Sequence, residues 1–213
     1  VIAVLTILIN NILIRVGDAI DVASYGIISR ALMFALFPVI GVNQGFMPIA
    51  GYNYGAKKLQ RVREAINISI TYSGILALII FTLIMLFAES FVGVFISDKA
   101  VEANSIRDNV ALLERTPNAL RWVFAATPVI VIQLIGGSYF QSIGKIIPAL
   151  LLNLTKQGFF LIPLILILPT YYGVWGVWVS FPIAFFLSII VTVYFLIRSV
   201  KKNFMVYFFF FLL

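Results

Sequence analysis

The chain has 213 residues, of which 62% are apolar and 11% charged, and its mean hydropathy is +1.10. A soluble domain is about half apolar and a quarter charged, so a soluble globular protein, a disordered tail and a disulfide-rich secreted chain are excluded, and an all-α polytopic membrane protein remains. The formal net charge is +7, and Cys and His are both 0. Thiolate metal sites, Cys nucleophiles and the usual imidazole base are therefore missing, which makes an enzyme the least favoured class.

Charges divide the chain into segments that can be measured against the roughly 20 apolar residues of a spanning helix. Val1 to Ile14 is uncharged but short, and the chain opens inside an apolar run with no Met and no basic leader. It reads as a first helix whose start lies upstream, not as a signal peptide. Ala31 to Ala56, Ala65 to Ala88 and Trp122 to Gly144 are uncharged and of spanning length. Gln157 to Ile197 is uncharged over twice that length, and Pro169, Thr170 and Gly173 interrupt it. That interruption predicts one helix from about Ile147 to Leu168 and another from about Val174 to Ile197. The expectation is a six-transmembrane-helix bundle over residues 1–202. Ser97 to Arg115 reads as a solvated stretch with some helix, and residues 203–213 as an aromatic-rich tail too short to span.

The loops sort by charge. Lys57, Lys58, Arg61 and Arg63 follow the second predicted helix, Lys145 the fourth, and Arg198, Lys201 and Lys202 the sixth. The acids gather in the alternate loops, apart from Glu64. Lys and Arg accumulate on the cytoplasmic side, so both ends of the bundle are expected in the cytoplasm and the protein in a bacterial plasma membrane. The basic character then belongs to loops at a lipid surface and calls for no nucleic acid.

Polar side chains inside a membrane are costly and usually face a bundle interior or a wet cavity. On the second helix Arg30, Phe34, Phe37, Gly41 and Gln44 recur at steps of three and four and share one face. Gln133, Gly137, Phe140 and Gly144 do so on the fourth, and Asn153, Gln157 and Phe160 on the fifth, with Lys156 beside them. The first helix carries Asn10 and Asn11. Two uses remain open. Aromatic rings and amides could line a cavity for an amphiphilic organic molecule, or they could bond helix to helix while glycines allow close approach. Pro38, Pro48, Pro128, Pro163 and Pro182 fall within or at the ends of spans, where each frees a backbone carbonyl. No Asp or Glu lies in the middle of a span. Arg30 and Lys156 are expected to bond freed carbonyls or a partner on another helix, or else to hold an anionic substrate.

The run Gly41-Val42-Asn43-Gln44-Gly45-Phe46-Met47-Pro48-Ile49-Ala50-Gly51-Tyr52-Asn53-Tyr54-Gly55-Ala56-Lys57, preceded by Tyr25 to Arg30, resembles the second lobe of the multidrug and toxic compound extrusion (MATE) family. Phe140 to Lys145, Leu154 to Gln157 and Gly176 to Ala184 resemble the same lobe in the same order. The resemblance implies helices seven to twelve of a twelve-helix exporter, with the N-terminal lobe of the same transporter as partner. It implies export of small organic cations by sodium- or proton-coupled antiport with alternating access. The coupling ion would bind mainly in the other lobe, and no other cofactor or metal is implied. The substrate-binding candidates are then Asn10, Asn11, Arg30, Phe34, Gln44, Gln133, Phe140, Asn153, Lys156 and Gln157. Gly51 and Gly55, flanking Tyr52-Asn53-Tyr54, are candidate hinges, although a structural turn there is also open. The alternatives are a lipid-linked oligosaccharide flippase of the same superfamily, or a half-size membrane protein that dimerises.

Overall fold

The structure is a computed structural model that describes residues 2–96 and 103–200. The 203–213 tail and the start of the polar 97–115 stretch lie outside the described residues. Among the described residues every element is helical. The first, α1 (Ile2–Val16), stops at Gly17, where a Cβ would lie 2.7 Å from Val174 Cγ2 and closer still to the Asp21 carboxylate. Asp18 then caps α2 (Ala19–Gly55): the Asp21 N–H donates to Asp18 Oδ1 and the Asp18 N–H to Asp21 Oδ2, both at 3.1 Å. This reciprocal pair satisfies two first-turn donors. The helix therefore begins well before the uncharged run at Ala31, because Asp18 and Asp21 cap it and it continues through Arg30. At 37 residues, α2 and α3 (Leu59–Phe95) are each about 55 Å long at 1.5 Å per residue, which exceeds the roughly 30 Å hydrocarbon core. α3 bends where Phe87 leaves helical geometry.

The expected single span from Trp122 to Gly144 is corrected by the structure into two pieces. α4 (Ala103–Phe124) runs out of the polar stretch, and α5 (Thr127–Ser142) leaves it at 46°. Pro128 sits in the first turn of α5, where its missing N–H costs nothing and where it prevents α4 from continuing. The next span is interrupted too. α6 (Ile146–Leu154) passes into a seven-residue π-helical segment (Thr155–Leu161) and then α7 (Ile162–Tyr172), with Pro163 opening the last piece. Gly173, at φ +57°, makes the turn into α8 (Val174–Val200). α2, α3, the α6–α7 unit and α8 are long and apolar enough to cross a membrane; α4 with α5 forms a fifth, bent span, and α1 is shorter. Among the described residues, four of the six expected spans are thus present by length and composition, or five with the bent α4–α5 pair, and α1 is too short to be counted among them.

Two apolar clusters hold the bundle. One joins Ile9 and Leu13 of α1, Ile28 of α2, Leu120 and Phe124 of α4, and Ile165 of α7. The other joins Phe46, Ile66, Ile135 and Leu152 of α2, α3, α5 and α6. Helix association in lipid relies on close packing, and Ala31, Ala50, Ala77, Ala88 and Ala126 are almost wholly buried at these contacts. Gly176 shows why a small residue is needed: a Cβ there would lie 2.5 Å from the Leu168 carbonyl carbon.

Candidate functional site

Helix contacts close a ring of elements. α1 touches α2, α2 touches α5, α5 touches α6, and the α6–π–α7 unit returns to α1. α3, α4 and α8 pack behind α2, α5 and α7. Each of the ten candidate residues named from sequence lies on this ring, and none on α3, α4 or α8.

The ring exposes some of them and covers others. On α2 Arg30, Phe34, Phe37, Gly41 and Gln44 are exposed, with Phe34 at 63% and Phe37 at 49%. The two rings meet edge to face at 6.0 Å. Gln44 lies about 21 Å beyond Arg30 along the axis, so an amide and a cation bracket an aromatic platform. The exposed residues of α3 include an aliphatic run, Ile75, Leu78, Ile79, Leu83 and Leu86, with the rings of Tyr72 and Phe87 at its two ends. The α2 face differs from it chiefly in its polar ends, Arg30 and Gln44. On α1 Asn11 is exposed, while the half-buried Asn10 has an Oδ1 without a hydrogen-bond partner.

On α5 the pattern is closed. Gln133 is 7% exposed and donates to the Leu152 carbonyl at 3.2 Å. That carbonyl belongs to the turn that leads into the π-helical segment, where the regular hydrogen-bond ladder changes step. Phe140 is 2% exposed and stacks on Tyr139 and Phe195. Asn153 is exposed, yet its Oδ1 stands 3.5 Å from the position a Cβ on Gly137 would take. Gln157 is half-buried, and Lys156 has its backbone in the π-helical segment while its side chain lies outside the described residues. The structure therefore brings Arg30, Phe34 and Gln44 together on one open face, and places Gln133 and Phe140 in helix-to-helix contacts.

The candidate hinges also differ. A Cβ on Gly51 would come 3.0 Å from the Ser142 carbonyl, so glycine there lets α2 approach the end of α5. Gly55 has open space around it. Among residues the sequence reading passed over, Asn43 is the clearest: it is buried, its Nδ2 donates to Ser138 Oγ at 2.8 Å, and its Oδ1 is unpartnered. It follows directly before Gln44, but the 100° turn per residue carries it to the covered side of α2. Ser180, Ser188 and Thr192 are buried in α8 and donate to carbonyls of their own helix, so they offer nothing outward.

At the end where α1 meets α2, Arg115 Nη1 lies 2.9 Å from Asp18 Oδ2 and 3.9 Å from Asp21 Oδ2, while Ser24 and Thr116 share a hydrogen bond of 2.8 Å. These contacts fasten α2 to α4. Burial raises the Asp18 pKa, but the Asp21 N–H and the hydrogen bond and charge of Arg115 outweigh it and hold the carboxyl below its ordinary value.

The profile of the MatE family matches residues 1–167. Two named sequence relatives are similar to this chain. The multidrug export protein MepA of Staphylococcus aureus (strain NCTC 8325 / PS 47) is 27% identical over 73% of this chain and 32% of its own length. MepA of Staphylococcus haemolyticus (strain JCSC1435) is 24% identical over 80% of this chain and 35% of its own length. The chain thus spans about a third of the length of the curated relatives it matches. Among solved structures, the MATE multidrug transporter DinF-BH, solved as a complex, is 40% identical, with a TM-score of 0.70 over 89% of this chain and 40% of that one. A MATE transporter in the bent conformation shares the fold at 19% identity, with a TM-score of 0.82 over 93% of this chain and 42% of that one.

Proposed function

The chain belongs to the MatE family of membrane transporters, not to an enzyme family, and from that membership we propose that it forms the C-terminal lobe of a multidrug exporter whose α2 face holds amphiphilic organic cations. The observation that carries the reading is the open face of Arg30, Phe34, Phe37, Gly41 and Gln44. Rings attract a flat cation through their negative faces, and the Gln44 amide offers a carbonyl acceptor to orient it. Arg30 at the far end repels a second positive charge, which favours one bound orientation. Asn10 and Asn11 of α1, and Asn153, Lys156 and Gln157 of the α6–π unit, supply the neighbouring walls. Gln133 and Phe140 act on the same site from behind, by holding α5 against α6 and α8.

The site is completed by an N-terminal lobe, and rocking of the two lobes alternates access to the two sides of the membrane, with Gly51 and Gly55 as bending points. A sodium or proton gradient drives the cycle, with the ion bound mainly outside this chain, a reading supported by the placement of every Asp and Glu outside the middle of a span. The membrane is the bacterial plasma membrane, with both ends of the lobe in the cytoplasm.

The test uses cells that express the natural polypeptide carrying this chain. They should accumulate less ethidium and less of a cationic rhodamine dye than control cells, and dissipating the ion gradient should abolish the difference. Phe34→Ala and Gln44→Ala should change the ratio of the two dyes exported at unchanged protein level. Equal accumulation with and without the protein would overturn the reading.

A further inference from the structure

A cavity of about 610 Å³ that the transport face does not use lies where α2 gives way to α3 and α5 to α6. Lys57, Arg63 and Lys145 line it together with the hydroxyls of Tyr54, Tyr139 and Ser199, and no lining residue is acidic. The Tyr139 and Ser199 hydroxyls share a 3.2 Å hydrogen bond that joins α5 to α8 at its wall.

Two turns of matching geometry build the cavity. At the end of α2 the Lys57 N–H donates to the Tyr54 carbonyl at 3.0 Å and the Lys58 N–H to the Asn53 carbonyl at 2.9 Å. At the end of α5 the Gly144 N–H donates to the Gln141 carbonyl at 3.2 Å and the Lys145 N–H to the Phe140 carbonyl at 2.9 Å. In each the pivotal residue has a left-handed backbone: φ is +74° at Gly144 and +58° at Lys57. This way of ending a helix ordinarily uses glycine, because a side chain is strained there. After each turn a lysine, Lys58 or Lys145, becomes the N-cap of the next helix, with nearly the same φ of −86° or −85°. Neither helix start receives a side-chain cap bond. The first-turn donors of α3 and the positive dipole ends of both helices therefore add to the three cations, while in α6 the Ile146 N–H already donates to the Gly144 carbonyl at 3.1 Å and Pro148 has no N–H.

We propose that this cavity binds the phosphate group of an anionic phospholipid, seated between the helices at the basic end of the bundle. A phosphate supplies acceptors to the three cations and to the uncapped start of α3, and Arg63 can meet two of its oxygens at once. A lysine held at the strained position where its twin turn has glycine places one more cation on the wall. The cavity lies at the ends of α2 and α5, where the basic loops begin, and anionic lipids are drawn to such basic pockets between helices. The inference rests on the membrane-spanning fold and stands or falls independently of drug export.

The test uses the natural polypeptide purified in detergent and titrated with phosphatidylglycerol, phosphatidylcholine or inorganic phosphate, with binding read by native mass spectrometry and by thermal shift. Phosphatidylglycerol is expected to bind more tightly than phosphatidylcholine. Arg63→Gln with Lys145→Gln should weaken it by about tenfold. Lys58→Gln and Arg61→Gln, which remove cations from the same end without lining the cavity, should change it less than twofold. Lys57→Gly should raise the melting temperature of the lipid-free protein while weakening phosphatidylglycerol binding, a split that a purely structural lysine would not give. Saturation by inorganic phosphate with no preference for the lipid would overturn the lipid source. Equal losses from the lining and non-lining substitutions would reduce the effect to general surface charge and overturn the site.

Discussion

On α2, Phe34, Phe37, Gly41 and Gln44 stand open at the surface of the lobe, whereas on α5 the similarly spaced Gln133, Gly137 and Phe140 are shut between neighbouring helices. Both stripes combine an amide, a glycine and aromatic rings. Their fates differ because α5 is packed against α2, α3, α6 and α8, while α2, with α1, α3, α4 and α5 as neighbours, leaves the Phe34 to Gln44 face uncovered. A repeat of three and four says which side chains share a face; the number of helices around that face says whether they bind one another or await a ligand. An amide in the covered stripe holds the bundle together, and an amide in the open stripe keeps its hydrogen-bonding groups at the surface.

The comparison breaks first at its glycines. A Cβ on Gly136, in the covered part of α5, would fall 2.5 Å from Thr192 Cγ2 and 3.1 Å from Leu196 Cδ1. Thr192 cannot swing aside freely, because its hydroxyl is bonded to the Ser188 carbonyl at 2.9 Å. Gly136→Ala should therefore cost about 1–3 kcal/mol through overpacking. Gly41 of α2 has nothing within 4 Å, so Gly41→Ala should stabilise the helix by about 0.5–1 kcal/mol. Thermal melts of the two purified variants check the opposite signs; equal losses would mean that α2 is covered as tightly as α5.

The amides give the next contrast. Gln133→Leu removes the donor to the Leu152 carbonyl and should cost about 1 kcal/mol, seen as a lower melting temperature with equal weakening of export for every dye. Gln44→Leu should change the melt by less than about 0.5 kcal/mol and shift the ratio of ethidium to rhodamine exported. The same logic separates the two glycines near the end of α2. Gly51→Ala meets the Ser142 carbonyl at 3.0 Å and should lower both the melting temperature and transport. Gly55→Ala meets nothing, so a slower dye export rate at unchanged melting temperature would identify bending at Gly55, and an unchanged rate would remove it as a hinge.

The helical, membrane-spanning character of the chain was legible because uncharged runs of about 20 residues have no other stable solution in lipid. Boundaries were less so. Asp18 and Asp21 lie in the charged stretch between the first two uncharged runs, but as a reciprocal cap they begin the second helix. The bend between α4 and α5 was announced by Pro128 alone, and the π-helical segment only by Pro163 two residues beyond it, whose missing N–H frees the Phe159 carbonyl. At the site, spacing set Phe34, Phe37, Gly41 and Gln44 on one side of α2 and Gln133, Gly137 and Phe140 within α5, while Gly144, expected on the same face, falls in the turn beyond α5; spacing could not assign exposure. Asn43 was readable as a polar residue in a span, but only its neighbour Ser138, 95 positions away, shows what it bonds to.

The smallest expected effect concerns how the covered side of α2 is fastened. Asp18 is held by Arg115 at 2.9 Å, with both side chains about half exposed, at 49% and 52%. Its pKa is depressed in the folded protein, so the carboxylate binds its proton less readily there than in the unfolded chain. The stabilisation is therefore complete above the ordinary carboxylate range and is lost as the pH falls through the lower folded value. Solvent screening at this exposure keeps it below about 1 kcal/mol. Arg115→Gln should lower the melting temperature slightly at pH 7, and the difference from the parent protein should vanish on acidification as Asp18 becomes neutral. A difference that persisted after protonation would mean that Arg115 holds α4 against α2 through its packing or through Asp21, not through the charge of the cap.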